Sequence, residues 1–297
     1  MGIVDDPRVR FEATNIELRS PILIAAFHGW NDAGDSATFA AKHLRRIWAA
    51  EKIASIDPED FFDFQSVRPQ VELVDGLTRS ISWPENELFG ARLEGCENDA
   101  LILIGTEPSL RWRTFSELLV EMARERDVSL VITLGALLAD VPHSRPVPIT
   151  GTAVDPELIQ RLGLQRSRYE GPTGIVGVLQ DAFARAGVKS ASLWAAVPHY
   201  LAVSPNPKAA LALVERAARL IGFGADIGEL MAATSDYEER IDEMVQSDDD
   251  IKEYVRLLES RSDDNEELEE LDPSQLPSGD ALAAELERFL RERDPGE

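Results

Sequence analysis

Short dense runs of apolar residues alternate along this chain with longer stretches in which apolar positions recur every three or four residues. The first run, Pro21 to Phe27 (PILIAAF), is too short for a helix and is bounded by polar residues, so it predicts a strand buried on both faces. After the polar loop HGWNDAGD, Ala37, Ala40, Ala41, Leu44 and Trp48 fall on one helical face, with Asp35 or Ser36 placed to cap the helix start. The alternation then repeats. KIASI (52–56), DALILIG (99–105), 129–134, ITGTA (149–153) and 191–197 predict strands. Residues 114–125, a short segment capped by Asp155 with Pro156 in its first turn, the stretch after EGPTG ending at Gly187, and 207–221 opened by Asn206 or Pro207 predict helices. Val71, Leu73, Leu77 and Ile81 alternate around Asp75-Gly76, a pair suited to a φ > 0 turn, and predict a β-hairpin. Strands and helices in this order imply an α/β fold, a mixed, largely parallel sheet flanked by helices.

Near Gly222 the pattern changes. Residues 224–246 and 248–261 each carry an apolar stripe (Ile241, Met244 and Val245; Ile251, Tyr254, Val255 and Leu258) and predict two amphipathic helices. The segment 265–280 predicts a linker and 281–292 a last short helix, while order after Ser260 stays open. The expected organisation is an α/β domain over 1–222 and an acidic helical subdomain and tail over 223–297.

Charge sharpens that division. The net charge is −24, and residues 236–297 hold 23 acidic against 7 basic side chains, −16 of the total. Such a chain repels phosphate backbones and anionic lipid, which argues against nucleic-acid and membrane partners. No apolar stretch approaches the roughly 20 residues needed to span a bilayer. The single cysteine, Cys96, permits neither an internal disulfide nor a thiolate metal cluster, and its acidic setting EGCEN disfavours a thiolate. The opening residues lack the pattern of a secretory leader, so the expected location is the cytoplasm.

Candidate chemistry gathers in the loops expected at the carboxyl ends of the strands, where ligands of open α/β sheets sit. These loops carry His28 and Asp32, then Glu107 and Arg111, then His143 and Arg145, then His199, and so three of the four histidines. Brought together, His28, Asp32, Glu107, His143 and His199 would suit general acid–base chemistry, with Arg111 and Arg145 gripping an anion. The same residues equally suit tying loop backbone or lining a subunit interface. Thr173 and Gly174, in GPTGIVG, would present a hydroxyl and backbone N–H groups to an anion at a helix start, though close helix packing explains the glycines as well. No HExxH or close ligand doublet marks a metal site, no Gly-x-Ser-x-Gly elbow marks a hydrolase, and no nucleotide loop points to a cofactor.

The blocks FHGWNDAGDSAT, IGTEPSLRW, LGALLADVPHSRP, YEGPTGIVG and VPHYLAVSPNPKAAL, in this order, resemble those of actinobacterial members of the PAC2 (proteasome assembly chaperone 2) family across roughly 15–222. The resemblance implies a phosphorylase/hydrolase-like α/β core with an appended helical subdomain. It implies homo-oligomers, with a trimer as first expectation, and a protein partner such as proteasome subunits. It supplies no catalytic residues. Two functions are therefore expected in competition: a protein-interaction or assembly factor, and an enzyme or binder of a nucleoside- or carboxylate-like ligand.

Overall fold

The structure is a computed structural model and describes residue 3 and residues 6–12, 16–164, 170–201 and 203–270. In chain order its elements are β1 (Val9–Phe11), β2 (Ile22–His28), α1 (Ser36–Ile47), β3 (Glu51–Ile56), β4 (Gln70–Val74), β5 (Thr78–Ser82), β6 (Asn86–Ala91), β7 (Ala100–Thr106) and α2 (Trp112–Glu125). They continue with β8 (Leu130–Ala139), β9 (Ile149–Ala153), α3 (Pro156–Leu162), α4 (Ile175–Arg185), β10 (Ser190–Pro198), α5 (Pro207–Ile221), α6 (Gly228–Gln246) and α7 (Asp249–Glu270).

Eight of the strands form one sheet in the order β1-β3-β6-β7-β2-β8-β10-β9. The centre, β7-β2-β8-β10, is parallel, as the buried apolar runs require. Both flanks are antiparallel, through β1-β3-β6-β7 on one side and β9 on the other. The mixed α/β sheet matches expectation, but it is not largely parallel: three of its seven neighbouring strand pairs are parallel, all in the middle, and four are antiparallel. Two strands, β1 and β6, were not legible in the pattern, because β1 is three residues long and NELFGA breaks alternation at Gly90.

Successive side chains of the central strands go to opposite faces. Ile22, Ile24, Ala26, Ile102, Ile132 and Leu193 pack beneath α1 and α5, whose alanines allow close approach to the sheet. Leu23, Ala25, Phe27, Leu101, Leu103 and Val131 pack against α2 and α4 through Phe115, Leu119, Leu179 and Phe183. At the amino ends of the strands, the buried Asp99 carboxylate accepts from the Arg19 backbone and guanidinium and from the Leu93 N–H. Burial pushes that carboxyl up, but the bonds from Arg19 and Leu93 outweigh it and leave it below its usual range.

The hairpin β4–β5 turns at Asp75-Gly76, both at positive φ, and stands apart as a two-stranded sheet with every strand residue exposed. Helix α6 lies on α5 and on a small apolar group of Leu201, Tyr237, Ile241, Val245 and Val255. Helix α7 runs through Glu270, so residues 265–270 are helical rather than linker; the helix expected over 281–292 lies outside the described residues. Among the described residues, no helix is long and apolar enough to cross a membrane.

Candidate functional site

All the carboxyl-end loops of the parallel strands leave one rim of the sheet, but the rim is stepped. His28, the last residue of β2, is level with Thr106 of β7. β8 and β10 continue side by side to Ala139 and Pro198. At about 3.3 Å per residue, β8 ends roughly 10 Å beyond the level of His28. The candidate side chains therefore fall into two groups, one on each step.

On the low step, His28 Nδ1 lies 2.8 Å from Asp35 Oδ1. Asp32, buried, turns back to cap α1: Oδ1 accepts from Ala37 N at 2.6 Å and Oδ2 from the Thr38 hydroxyl at 2.5 Å. Asp35 stands at the capping position expected for it, yet its side chain makes no cap bond, and Asp32 does so from three residues earlier. Burial raises the Asp32 carboxyl above its ordinary value, with the bonds from Thr38 and Ala37 opposing and the Asp35 charge reinforcing. His28, Asp32 and Asp35 place one ligand-type atom each within 4.8 Å of one another. Those atoms are engaged in the cap and the His28–Asp35 pair, so the triad is accounted for by local structure. His28 and Asp35 face an open cleft of about 790 Å³, bordered also by Lys42, Trp83, Glu87 and Thr106. Lys42 and Trp83 were not singled out in the sequence. Lys42 follows Thr38 by one helical turn, a spacing that places both on the cleft side of α1.

Glu107 performs the service read for a bound anion at GPTG. Its Oε1 accepts from Ile175 N at 2.7 Å, at the start of α4, and from Asn31 Nδ2 at 2.8 Å. The positive end of α4 thus holds a carboxylate from the chain itself. Gly174 is required by this packing, since a Cβ there would lie 2.5–2.7 Å from Asn31 and Glu107 atoms. The Thr173 hydroxyl is 3.4 Å from the Gly174 carbonyl, and a Cβ on Gly177 would collide with it. Arg111 does not join the group: it pairs with Asp60 at 2.8 Å and ties the α2 start to the 57–64 loop.

On the high step, His143 is buried with both ring nitrogens engaged, Nδ1 at 2.7 Å from the Tyr200 hydroxyl and Nε2 at 3.0 Å from Asp242 of α6. Burial pushes the Tyr200 phenol up to about 12. The space beside His143 is about 10 Å³, room for one water and for no substrate. His199 pairs with Asp140 at 3.1 Å and packs edge-on against Tyr200 and Tyr254. Arg145 grips Asp263 of α7 with two bonds, at 2.8 and 2.9 Å, which draw that carboxyl below its usual range. Lys208 pairs with Glu238 at 2.6 Å and Ser144 bonds Glu259. The rim loops on this step are thus covered by acidic side chains of α6 and α7. Glu238 and Asp242 each follow a buried apolar residue, Tyr237 and Ile241, and that flanking position is the sequence signal that would have found them.

The family model for the PAC2 family matches residues 26–245. A PAC2 family protein from Streptomyces avermitilis is 47% identical, with 79% of this chain and 99% of that chain covered and a TM-score of 0.73. A proteasome-assembly chaperone homologue from Mycobacterium tuberculosis is 43% identical over the same shares, also at 0.73. An archaeal proteasome activator from Pyrococcus furiosus, 17% identical with 80% of this chain and 97% of that chain covered, shares the fold at a TM-score of 0.65. No protein of curated description matches.

Proposed function

The chain belongs to the PAC2 family, with actinobacterial relatives, and from that membership we propose that it acts as a protein-interaction factor of the proteasome-assembly-chaperone kind. The observation that carries this reading is how the rim spends its ionisable groups. Asp32 and Glu107 cap helices, Arg111 and Arg145 hold acidic partners, and His143 is sealed under α6. Beside its cleft the low step also offers a partner an apolar surface: Trp30 is 67% exposed and Leu110 48%. An exposed tryptophan is the residue type that most often anchors a protein interface. In this reading the α/β unit (1–222) carries the contact surface and the acidic part (223–297) steers approach to a basic face. The protein works as a homo-oligomer in the cytoplasm, with proteasome subunits as partners. Affinity capture from native lysate at low salt tests this. Proteasome subunits are expected with the wild-type chain and at least tenfold less with Trp30→Ala; recovery of no subunit at all would end the reading.

The low-step cleft supports a second reading. His28, Lys42 and Trp83 offer a ring nitrogen, an ammonium and an aromatic face to a small carboxylate- or nucleoside-like ligand. A melting-temperature screen against nucleosides, phosphate and dicarboxylates separates the two, because a ligand bound at this cleft raises Tm for wild type and not for His28→Ala.

A further inference from the structure

Helix α7 sits on the high step much as a bound acidic peptide would. It holds ten acidic against three basic side chains. Its apolar contact is small: Val255 and Leu258 are buried, and Tyr254 packs edge-on against His199 and Tyr200. One turn apart on the same helix, Glu259 accepts from the Ser144 hydroxyl and Asp263 accepts two bonds from the Arg145 guanidinium. An anion that Arg145 grips is thus supplied by the chain itself.

We propose that the strip formed by Ser144, Arg145, His199 and Tyr200 is a docking surface for an acidic amphipathic helix of a partner protein, and that α7 is a removable segment that occupies it in the free chain.

Two observations set α7 apart from a permanent part of the fold. The PAC2 match runs over 26–245, so it includes the strip and stops before α7 begins at Asp249. The charge contact is open to water, with the Arg145 side chain 36% and that of Asp263 53% exposed, and exposed pairs hold weakly.

Charge and spacing fix the kind of partner. A basic segment would set its cations against Arg145, and a neutral one would leave the planar guanidinium without the carboxylate that its two-bonded fork fits. Ser144 and Arg145 are adjacent in the loop and meet carboxylates four positions apart, which a helix places one above the other. The matching helix therefore repeats the order of α7: an aromatic ring as at Tyr254, aliphatic residues as at Val255 and Leu258, then carboxylates as at Glu259 and Asp263. While tethered, α7 meets the strip at high effective concentration, so a free helix of equal intrinsic affinity is excluded until α7 leaves. The proposal goes beyond the functional reading by naming a surface apart from Trp30 and the chemistry of what binds there. Its test contains no proteasome subunit, so either can fail alone.

Fluorescence anisotropy of a labelled peptide of residues 249–270, titrated with the full chain, tests it. Glu259→Arg with Asp263→Arg removes both contacts from α7 and leaves the strip intact. The peptide is expected to bind this double variant roughly tenfold or more tighter than wild type, because the tethered competitor is gone. Adding Arg145→Ala is expected to undo that gain. Hydrogen exchange should show α7 opening faster in the double variant, with α1 and α5 unchanged. Equal binding to wild type and double variant, a gain that survives Arg145→Ala, or unchanged exchange in α7 would overturn the proposal.

Discussion

Glu107 links three segments through one carboxylate: the loop after β2 through Asn31, the start of α4 through Ile175, and the end of β7 on which it sits. Glu107→Ala leaves the Asn31 amide and the Ile175 N–H without their acceptor, and a loss of about 2–3 kcal/mol is expected from urea unfolding. Glu107→Gln keeps an acceptor but not the charge at the helix start, and should cost closer to 1 kcal/mol. Gly174→Ala should also destabilise, by about 1–3 kcal/mol, because its methyl would displace the Asn31 amide and the Glu107 carboxylate, side-chain ends that are held in place by their bonds to each other and to Ile175 N. Asp99 makes a pH prediction. Its folded carboxyl is held below the unfolded value, so its contribution is complete above the unfolded pKa of about 3.9 and is lost as pH falls through the lower folded value. Asp99→Asn should therefore lower stability at pH 6 and flatten its fall below pH 4, read as the urea midpoint against pH. At this scale the sequence showed which residues were unusual but not what each would bond. His143 and Arg145 were visible as ionisable loop residues, yet their partners, Asp242 and Asp263, lie about a hundred positions on, in a segment legible only as acidic helix.

Elements were far more legible. Helix α5 opens at Asn206, whose side chain accepts from Ala209 N, with Pro207 in the first turn, and it stops at Gly222 in the left-handed region. Asn206→Ala should cost about 1 kcal/mol through the lost cap, measured by thermal or urea unfolding. The hairpin was placed by the alternation of Val71, Leu73, Leu77 and Ile81 about Asp75-Gly76, the pair that supplies the positive φ its turn needs. Where the reading stopped short, the reason is local. Residues 129–134 predicted a strand that runs to Ala139, since Gly135 interrupts the apolar run; there Trp194 of β10 lies over the glycine, filling the space a side chain would take. The segment 265–280 read as linker, but glutamate is a good helix former and α7 continues as far as Glu270.

At the scale of the molecule, pairing register decides what the candidate residues do. The step between β2 and the β8–β10 pair depends on how far each strand outruns its neighbour, and a one-dimensional pattern does not hold that information. It separates His28 and Glu107 from His143 and His199, which a reading by loop order placed in one site. The cover of α6 and α7 over the high step combines a small apolar group with charge pairs to Glu238, Asp242 and Asp263. Exposed pairs weaken as salt rises while the main cores do not. Hydrogen exchange should therefore show α6 and α7 opening before α1 and α5, with the gap widening between 0.05 and about 0.5 M salt by the screening rule. Uniform exchange at both concentrations would contradict this. The order of packing also gives the chain a direction of mechanical weakness. Helix α7 leans on α6, α6 on α5, and α5 on α1 and the sheet, so a pull on the carboxyl side meets the helices one at a time, thinnest attachment first. A machine that threads proteins from that end would unzip the acidic helices while the eight-stranded sheet still stood.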